Sequence, residues 1–205
     1  IMEDFLIHKK QSFTTEKDLA EYTDMTGEEL QSELTALSDA GKLLHISLGY
    51  IHTDVYKKIK GQAVQILLSY HQKFPLRAGM SPEEFRSRLR QKSGDKTVSD
   101  KEISALIKLL LSDGACKEEG SLIAAASFTV KFNEKQTALR KKIEETVLKS
   151  GYTPVKKAEF YSLDQEAEGV VEALCGSSFV QLTPEYVISG EYFDKAVQAI
   201  HDYIR

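Results

Sequence analysis

Apolar side chains recur every three or four residues along several stretches of the chain, and this spacing predicts amphipathic helices. The clearest stripe joins Ile103, Leu106, Ile107, Leu110 and Leu111. Three stripes of this kind each follow a Ser or Thr that has Glu or Gln three residues later, a pattern that caps helix N-termini. Each also ends at a glycine suited to a helix C-terminus. The predicted caps are Thr26, Ser99 and Ser162, and the glycines are Gly41, Gly114 and Gly176.

Two short apolar segments follow each of these glycines and flank a turn, which predicts a β-hairpin. The paired segments are 43–46 with 50–52, 115–116 with 122–128, and 179–182 with 186–188. Shorter or weaker helical patterns precede each capped helix. Helix, helix, capped helix and hairpin is the element order of a winged helix, an elaborated helix-turn-helix.

The threefold repetition of this order predicts a mostly α fold with small β-hairpins, built from tandem winged-helix repeats in an elongated array. The predicted units are residues 1–54, 55–132 and 133–190. Residues 191–205 are predicted to form a helix leading towards a missing fourth unit, with Phe193, Val197, Ile200 and Ile204 on one side.

The composition is that of a water-soluble globular chain and offers no catalytic constellation. No apolar run reaches the roughly 20 residues of a membrane span, and no signal-peptide pattern opens the chain. Cys116 and Cys175 are far apart and outside any CxxC pattern, which favours reduced thiols in a cytoplasmic protein. The five histidines are scattered, so no metal site is predicted.

Three smaller features receive structural interpretations. His45 and His52 are expected to approach each other across the first hairpin as a cross-strand pair. His71 is expected to play a structural role beside a helix end. Residues 94–97, Gly-Asp-Lys-Thr, resemble the end of a phosphate-binding loop. Because the earlier glycine and the preceding strand are missing, we interpret them as a surface loop between helices.

Charge is distributed unevenly around a net value of −4. Residues 1–54 carry 4 basic and 11 acidic side chains, residues 55–132 carry 14 and 8, and residues 133–205 carry 9 and 12, giving −7, +6 and −3. The capped helices of the first and third units are acidic. Since the third helix of a helix-turn-helix normally enters the DNA groove, this charge opposes DNA binding in the usual mode.

Six basic side chains are the candidate contacts for RNA or phosphate. Four lie on the second helix of the middle unit and two in the third unit; they are Arg86, Arg88, Arg90, Lys92, Lys156 and Lys157. A solvated face, or ion pairs with acidic neighbours, is the alternative interpretation. No aromatic residues alternate with these charges, so stacking on single-stranded RNA has little support.

The most specific motif lies at residues 70–89. It reads Tyr-His-Gln-Lys-Phe-Pro-Leu-Arg-Ala-Gly-Met-Ser-Pro-Glu-Glu-Phe-Arg-Ser-Arg-Leu. Pro75 is expected to end one helix, Gly79 to permit a turn, and Ser81 to cap the next helix. This motif resembles the second of the tandem winged helices in the C-terminal region of the bacterial selenocysteine-specific elongation factor, SelB.

The resemblance implies a role that composition does not. In that family a GTPase part delivers selenocysteyl-tRNA to the ribosome, and the winged helices link it to a messenger RNA hairpin that marks a UGA codon. The family's main hairpin contacts lie in a fourth unit. We therefore expect this chain to be a monomeric spacer and relay, a rigid, bent rod excised from a longer cytoplasmic protein. GTP and Mg are expected only in the parent's N-terminal part.

Two other functions remain compatible with the sequence. One is a winged-helix scaffold for protein interactions, which the charge pattern fits equally well. The other is a transcription regulator that binds DNA, which only the fold class supports and the acidic third helices oppose.

Overall fold

The computed structural model describes residues 2–8, 13–46, 48–93 and 98–204. The loop at 94–97, interpreted above as a surface loop, lies outside these residues. The chain divides into two compact units. One comprises Ile1–Tyr70 with Gly79–Ser127, and the other His71–Ala78 with Phe128–Arg205. The winged-helix boundaries proposed from sequence stay a prediction, because compactness groups the chain differently.

The first winged helix follows the predicted order. Its elements are α1 (Met2–His8), α2 (Glu16–Thr23), α3 (Gly27–Asp39), β1 (Leu43–Ile46) and β2 (Gly49–His52). Thr15 and Thr26 cap α2 and α3 through reciprocal hydrogen bonds with the residue three positions later. Leu30, Leu34 and Leu37 form the buried stripe of α3, as their spacing predicts.

The second winged helix contains the strongest amphipathic pattern. Its elements are α4 (Thr53–Lys73), α5 (Pro82–Ser93), α6 (Asp100–Ser112), β3 (Cys116–Glu119) and β4 (Leu122–Ala125). Ser99 caps α6 in the predicted reciprocal manner, and Ser81 Oγ accepts the Glu84 N–H at 3.2 Å. The strand β4 ends before Phe128, whose ring instead stacks on buried His71, with ring centroids 3.4 Å apart.

The third winged helix is the least regular. Its elements are α7 (Glu134–Lys149), β5 (Val155–Lys156), α8 (Ala158–Tyr161), α9 (Ala167–Leu174), β6 (Phe179–Gln181) and β7 (Tyr186–Ser189). The predicted cap at Ser162 is wrong, because α9 begins at Ala167. The Asp164 side chain accepts the Glu166 N–H at 2.9 Å and so closes a local turn where the helix was expected to start.

The predicted pairing of His45 with His52 is also wrong. The antiparallel register of β1 and β2 places His45 opposite Tyr50 and His52 opposite Leu43. The His45 ring stacks on the Tyr50 ring, with centroids 4.4 Å apart. His52 lies two residues along β2 from the residue opposite His45, so the two histidines are diagonal neighbours and not a cross-strand pair.

A helix closes the described chain and exposes its apolar face. Helix α10 (Gly190–Ile204) follows β7 without a break. None of its side chains is buried along this described length. Val197, Ile200 and Ile204 are 51%, 60% and 77% exposed. None of the helices within the described ranges is long and apolar enough to cross a membrane.

A short strand that the sequence did not predict joins each hairpin. Thr14 pairs with Tyr50, Met80 pairs with Ile123, and β5 pairs with β7. Each pair is antiparallel, and each adds a third strand in front of the second or short helix of its winged helix. In the middle unit the Met80 and Ile123 backbones exchange two N–H···O bonds of 2.8 Å.

Gly79 is required by this strand pairing rather than by a left-handed backbone. Its φ is not positive, so the backbone conformation at the turn does not itself require glycine. A Cβ at this position would lie 2.7 Å from the Ile123 carbonyl oxygen and 2.9 Å from the Leu122 Cβ. Glycine is therefore the residue that lets the chain approach β4 closely enough to pair with it.

A partly exposed hydrogen-bond network ties α4 to the end of α6. The Tyr56 hydroxyl donates to Asp113 Oδ2 at 2.5 Å, and Lys60 Nζ donates to the same oxygen at 3.0 Å. Burial acts to raise the pKa of Asp113, but these hydrogen bonds outweigh it and the pKa lies below its ordinary value. Burial and the Asp113 carboxylate raise the pKa of Tyr56.

We expect Gly79→Ala to lower the free energy of unfolding by about 1–3 kcal/mol, the usual cost of overpacking, and Gly79→Val to lower it further. Urea denaturation provides the measurement. Gly61→Ala is the matched control, since Gly61 lies in α4 with open space around it and gains helix propensity. Equal effects of the two alanine substitutions would contradict the packing explanation.

The Asp113 network predicts a pH dependence of stability. Because folding lowers the pKa of Asp113, its contribution is present above the unfolded value of about 3.9 and is lost as pH falls through the folded value. Urea unfolding between about pH 6 and pH 2 should show a smaller loss of stability for Asp113→Asn than for the wild type. Tyr56→Phe should lie between them. If the free energy of unfolding of Asp113→Asn depends on pH as that of the wild type does, Asp113 is not the cause of the pH dependence.

Candidate nucleic-acid interface

The third helices that would read a DNA groove present carboxylates to solvent. Glu28, Glu33 and Asp39 are exposed on α3, and Glu168 and Glu172 are exposed on α9. Polyanionic DNA is repelled by such a surface, because binding depends on cations that displace counterions from phosphates. The third-helix faces of the first and third winged helices are therefore unsuited to groove binding.

The predicted basic residues on α5 divide between two faces. Arg86 and Arg90 point towards the start of α6, where Arg90 Nη2 forms a short ion pair with Asp100 Oδ1. The Arg90 hydrogen bond, supported by the charge of Arg86, holds the pKa of Asp100 below its ordinary value. Arg86 Nε is buried and makes no hydrogen bond to the described residues. This face is partly neutralised by its own acidic neighbour.

Arg88 and Lys92 lie one turn apart on the other face of α5 and border a groove against α4. Arg88 Nη2 donates to Glu84 at 2.6 Å, and its guanidinium lies 5.8 Å from the Tyr70 ring centroid. The groove has a volume of about 630 Å³. Its lining is Gln65, Ile66 and Ser69 from α4 and Arg88, Gln91 and Lys92 from α5. The structure thus brings two of the six predicted residues together in a concave site.

Lys156 and Lys157 belong to the other compact unit and have different environments. Lys156 is exposed and lies 3.5 Å from Glu185. Lys157 is only 4% exposed, and its ammonium donates to Glu172 at 2.8 Å and to Gln181 at 3.0 Å. Burial acts to lower the pKa of Lys157, but the Glu172 hydrogen bond outweighs it and the pKa is raised. These contacts give Lys157 a structural role within the third winged helix.

Sequence reasoning missed the polar partners of the cations on α5. Gln65 and Ser69 are four residues apart on α4, and this spacing places them on one face. Nothing in the sequence shows that this face meets α5, because the two helices are joined by the kinked segment around Pro75.

Among the described residues, no group of three His, Cys, Asp or Glu side chains is placed to hold a metal ion. Burial raises the pKa of the Cys116 thiol to about 11, which leaves it protonated.

Comparison with known families identifies the middle of the chain. Residues 64–124 match the family model described as the winged helix of elongation factor SelB, its second winged-helix domain. The matched segment contains the 70–89 motif, so the resemblance to the SelB C-terminal winged-helix region is confirmed there. A winged helix of a translation elongation factor is a non-catalytic domain. No curated protein matches the chain.

The contacts of Lys157 predict that this residue stabilises the fold. We expect Lys157→Ala to lower the free energy of unfolding by about 1–2 kcal/mol, because the charged hydrogen bonds to Glu172 and Gln181 and the packing of a buried side chain are lost. Lys156→Ala, one residue away and exposed, should change stability by less than about 0.5 kcal/mol. Thermal and urea unfolding provide the measurement. If Lys157→Ala leaves the free energy of unfolding unchanged, the fold does not depend on Lys157 and this residue is again a candidate RNA contact.

Proposed function

We propose that this chain is the linking segment of a selenocysteine-specific elongation factor. It would connect the part that delivers selenocysteyl-tRNA to the unit that binds a messenger RNA hairpin, during selenocysteine incorporation at UGA codons on the cytoplasmic ribosome. The observation that carries this proposal is the match of residues 64–124 to the second winged helix of SelB. The GTPase centre, with its GTP and Mg, would lie in another part of the parent protein.

The repeated architecture supports a linking role. The same helices and hairpin recur before and after the matched segment, each with a short third strand. A series of small domains, each with its own hairpin, suits a segment that sets the distance between two functional parts. The proposal does not require this chain to have a catalytic site.

Helix α10 supports continuation into a further unit. Helix α4 begins immediately after β2, just as α10 begins immediately after β7. The apolar stripe of α4 is buried, and its residues include Ile59, Ala63, Ile66 and Leu67. The corresponding stripe of α10 is exposed. A following winged helix would cover the apolar stripe of α10 in the way that the rest of the second winged helix covers the stripe of α4.

A protein-interaction scaffold is the second candidate. It is favoured by the acidic third helices together with the ion pairs of Arg88 and Arg90, which leave few unneutralised cations on that part of the surface. Cross-linking to ribosomal components during translation separates the two functions, since a linking segment of an elongation factor should be close to them. DNA binding is opposed by the exposed carboxylates of α3 and α9.

The proposal predicts that tight hairpin binding requires the C-terminal continuation of the chain. Two proteins are compared by fluorescence anisotropy in a salt titration with a labelled messenger RNA hairpin: residues 1–205, and the same chain extended into its natural continuation. We expect only the extended protein to bind tightly, because the principal hairpin contacts lie in the further unit.

Two outcomes contradict the proposal in different ways. Equal and tight binding by both proteins would place the hairpin site within residues 1–205 and remove the purely linking role. Absence of binding by both would contradict the elongation-factor assignment and favour the scaffold. A hairpin with a scrambled loop is the control for binding that depends on charge alone.

A further inference from the structure

The groove between α4 and α5 has a polar rim and an apolar floor. Gln65 and Ser69 stand along one side and Gln91 and Lys92 along the other, all of them exposed. Ile66 is buried and forms part of the floor. At about 630 Å³ the groove falls within the range of small-ligand sites, and it is open enough to receive part of a larger polymer.

The chemistry of the rim is that of a nucleic-acid backbone site. Among the described residues no carboxylate lines the groove, although acidic residues outnumber basic residues in the whole chain. Glu84 holds Arg88 through Nη2 but is not itself part of the lining. A guanidinium carries five N–H donors, so the Arg88 group retains donors directed elsewhere. Arg88 and Lys92 together supply two cations to the groove.

The neutral residues of the rim add a second kind of recognition. Gln65 and Gln91 carry amides, and Ser69 carries a hydroxyl; each of these groups both donates and accepts hydrogen bonds. A ribose 2′-hydroxyl also donates and accepts, and it is the group that distinguishes RNA from DNA. Phosphates and sugars receive half or more of the hydrogen bonds in complexes of proteins with nucleic acids, from this same set of side chains.

We propose that the α4–α5 groove binds the sugar–phosphate backbone of RNA. Lys92 and Arg88 contact phosphates, and Gln65, Ser69 and Gln91 contact ribose 2′-hydroxyls. None of the described residues that line the groove is aromatic, so bases are not stacked there and binding is independent of sequence. This site goes beyond the linking role proposed above, which requires no RNA contact by these helices.

A helical RNA fits this chemistry better than an acidic peptide. The wide, shallow minor groove of A-form RNA displays 2′-hydroxyls between two rows of phosphates. The amides and the hydroxyl of the α4–α5 groove would face the ribose row while the cations face phosphates. A peptide carboxylate would engage Arg88 and Lys92 but would leave the amides and the hydroxyl without a specific role.

The test uses two variants that separate the two kinds of contact. The probes are a labelled mixed-sequence RNA duplex of about 16 base pairs, a length that RNA-binding domains span, and the DNA duplex of the same sequence. Affinities are measured by anisotropy from low to moderate salt. The wild type should bind the RNA several-fold more tightly than the DNA.

The cation variant is Lys92→Ala. It should lower the slope of log affinity against log salt by about 0.9, the value for one phosphate contact, and should keep the preference for RNA. The polar variant is Gln65→Ala with Ser69→Ala and Gln91→Ala. It should keep the salt slope and reduce the preference for RNA over DNA towards one.

Matched controls exclude effects on folding and on net charge. Lys141→Ala removes an exposed cation from α7, and Ser87→Ala removes an exposed hydroxyl from α5 outside the groove. Neither should change affinity or preference. All the positions mutated are exposed, so stability should change by less than about 0.5 kcal/mol per substitution, which thermal unfolding verifies.

Three results would overturn the groove proposal. They are equal binding of RNA and DNA by the wild type, a polar variant that keeps the RNA preference, and polyglutamate competition as strong as that of the RNA duplex. The same substitutions in the extended chain separate failure of the groove proposal from failure of the proposed linking role, when binding of the messenger RNA hairpin is measured. Tight hairpin binding there should survive the groove substitutions if the main hairpin contacts lie in the further unit.

Discussion

The pairing of one short strand with the hairpin holds each winged helix together. In the middle unit the strand is a single residue, Met80, whose backbone N–H and C=O both bond to Ile123 at 2.8 Å. Gly79 makes this approach possible because its missing Cβ leaves room for the Ile123 carbonyl. Gly49 has the corresponding role in the first unit, because a Cβ there would lie 2.4 Å from the Thr14 carbonyl oxygen. Loss of the pairing would free α5 from the wing, and with it the side of the groove that α5 supplies.

Many charged side chains of this chain form ion pairs within the fold, which limits their availability for binding phosphate. Several of the cations that the sequence alone marks as RNA contacts form close ion pairs, as Arg90 does with Asp100 and Lys157 with Glu172. The exposed Arg90–Asp100 pair adds little to stability because solvent screens it, whereas the pair of buried Lys157 stabilises the fold; both occupy donors that could otherwise contact phosphate. Lys92 differs in lying at the rim of a groove whose lining, in the described part of the chain, includes no carboxylate. Position in the fold, rather than the number of basic residues, therefore separates candidate RNA contacts from structural ones.

Sequence patterns predicted what depends on neighbouring residues and missed what depends on distant ones. The caps at Thr26 and Ser99 involve residues three apart, and both were predicted correctly. The cap at Ser162 was not, because Asp164 competes for the same backbone and delays the helix. The one-residue strand at Met80 has no periodicity to detect. The groove likewise joins residues of two helices, and only packing reveals that Ser69 and Lys92 line one site.

The winged-helix fold offers two kinds of surface to nucleic acid, and this chain favours the less usual one. A recognition helix reads the edges of DNA bases and needs donors or cations along its exposed face. The acidic α3 and α9 carry no Lys or Arg. A groove of amides, a hydroxyl and cations instead matches a backbone whose sugar can both donate and accept hydrogen bonds. Recognition of that backbone needs no base sequence, so such a site suits a segment that must follow RNA shape while sequence is read elsewhere.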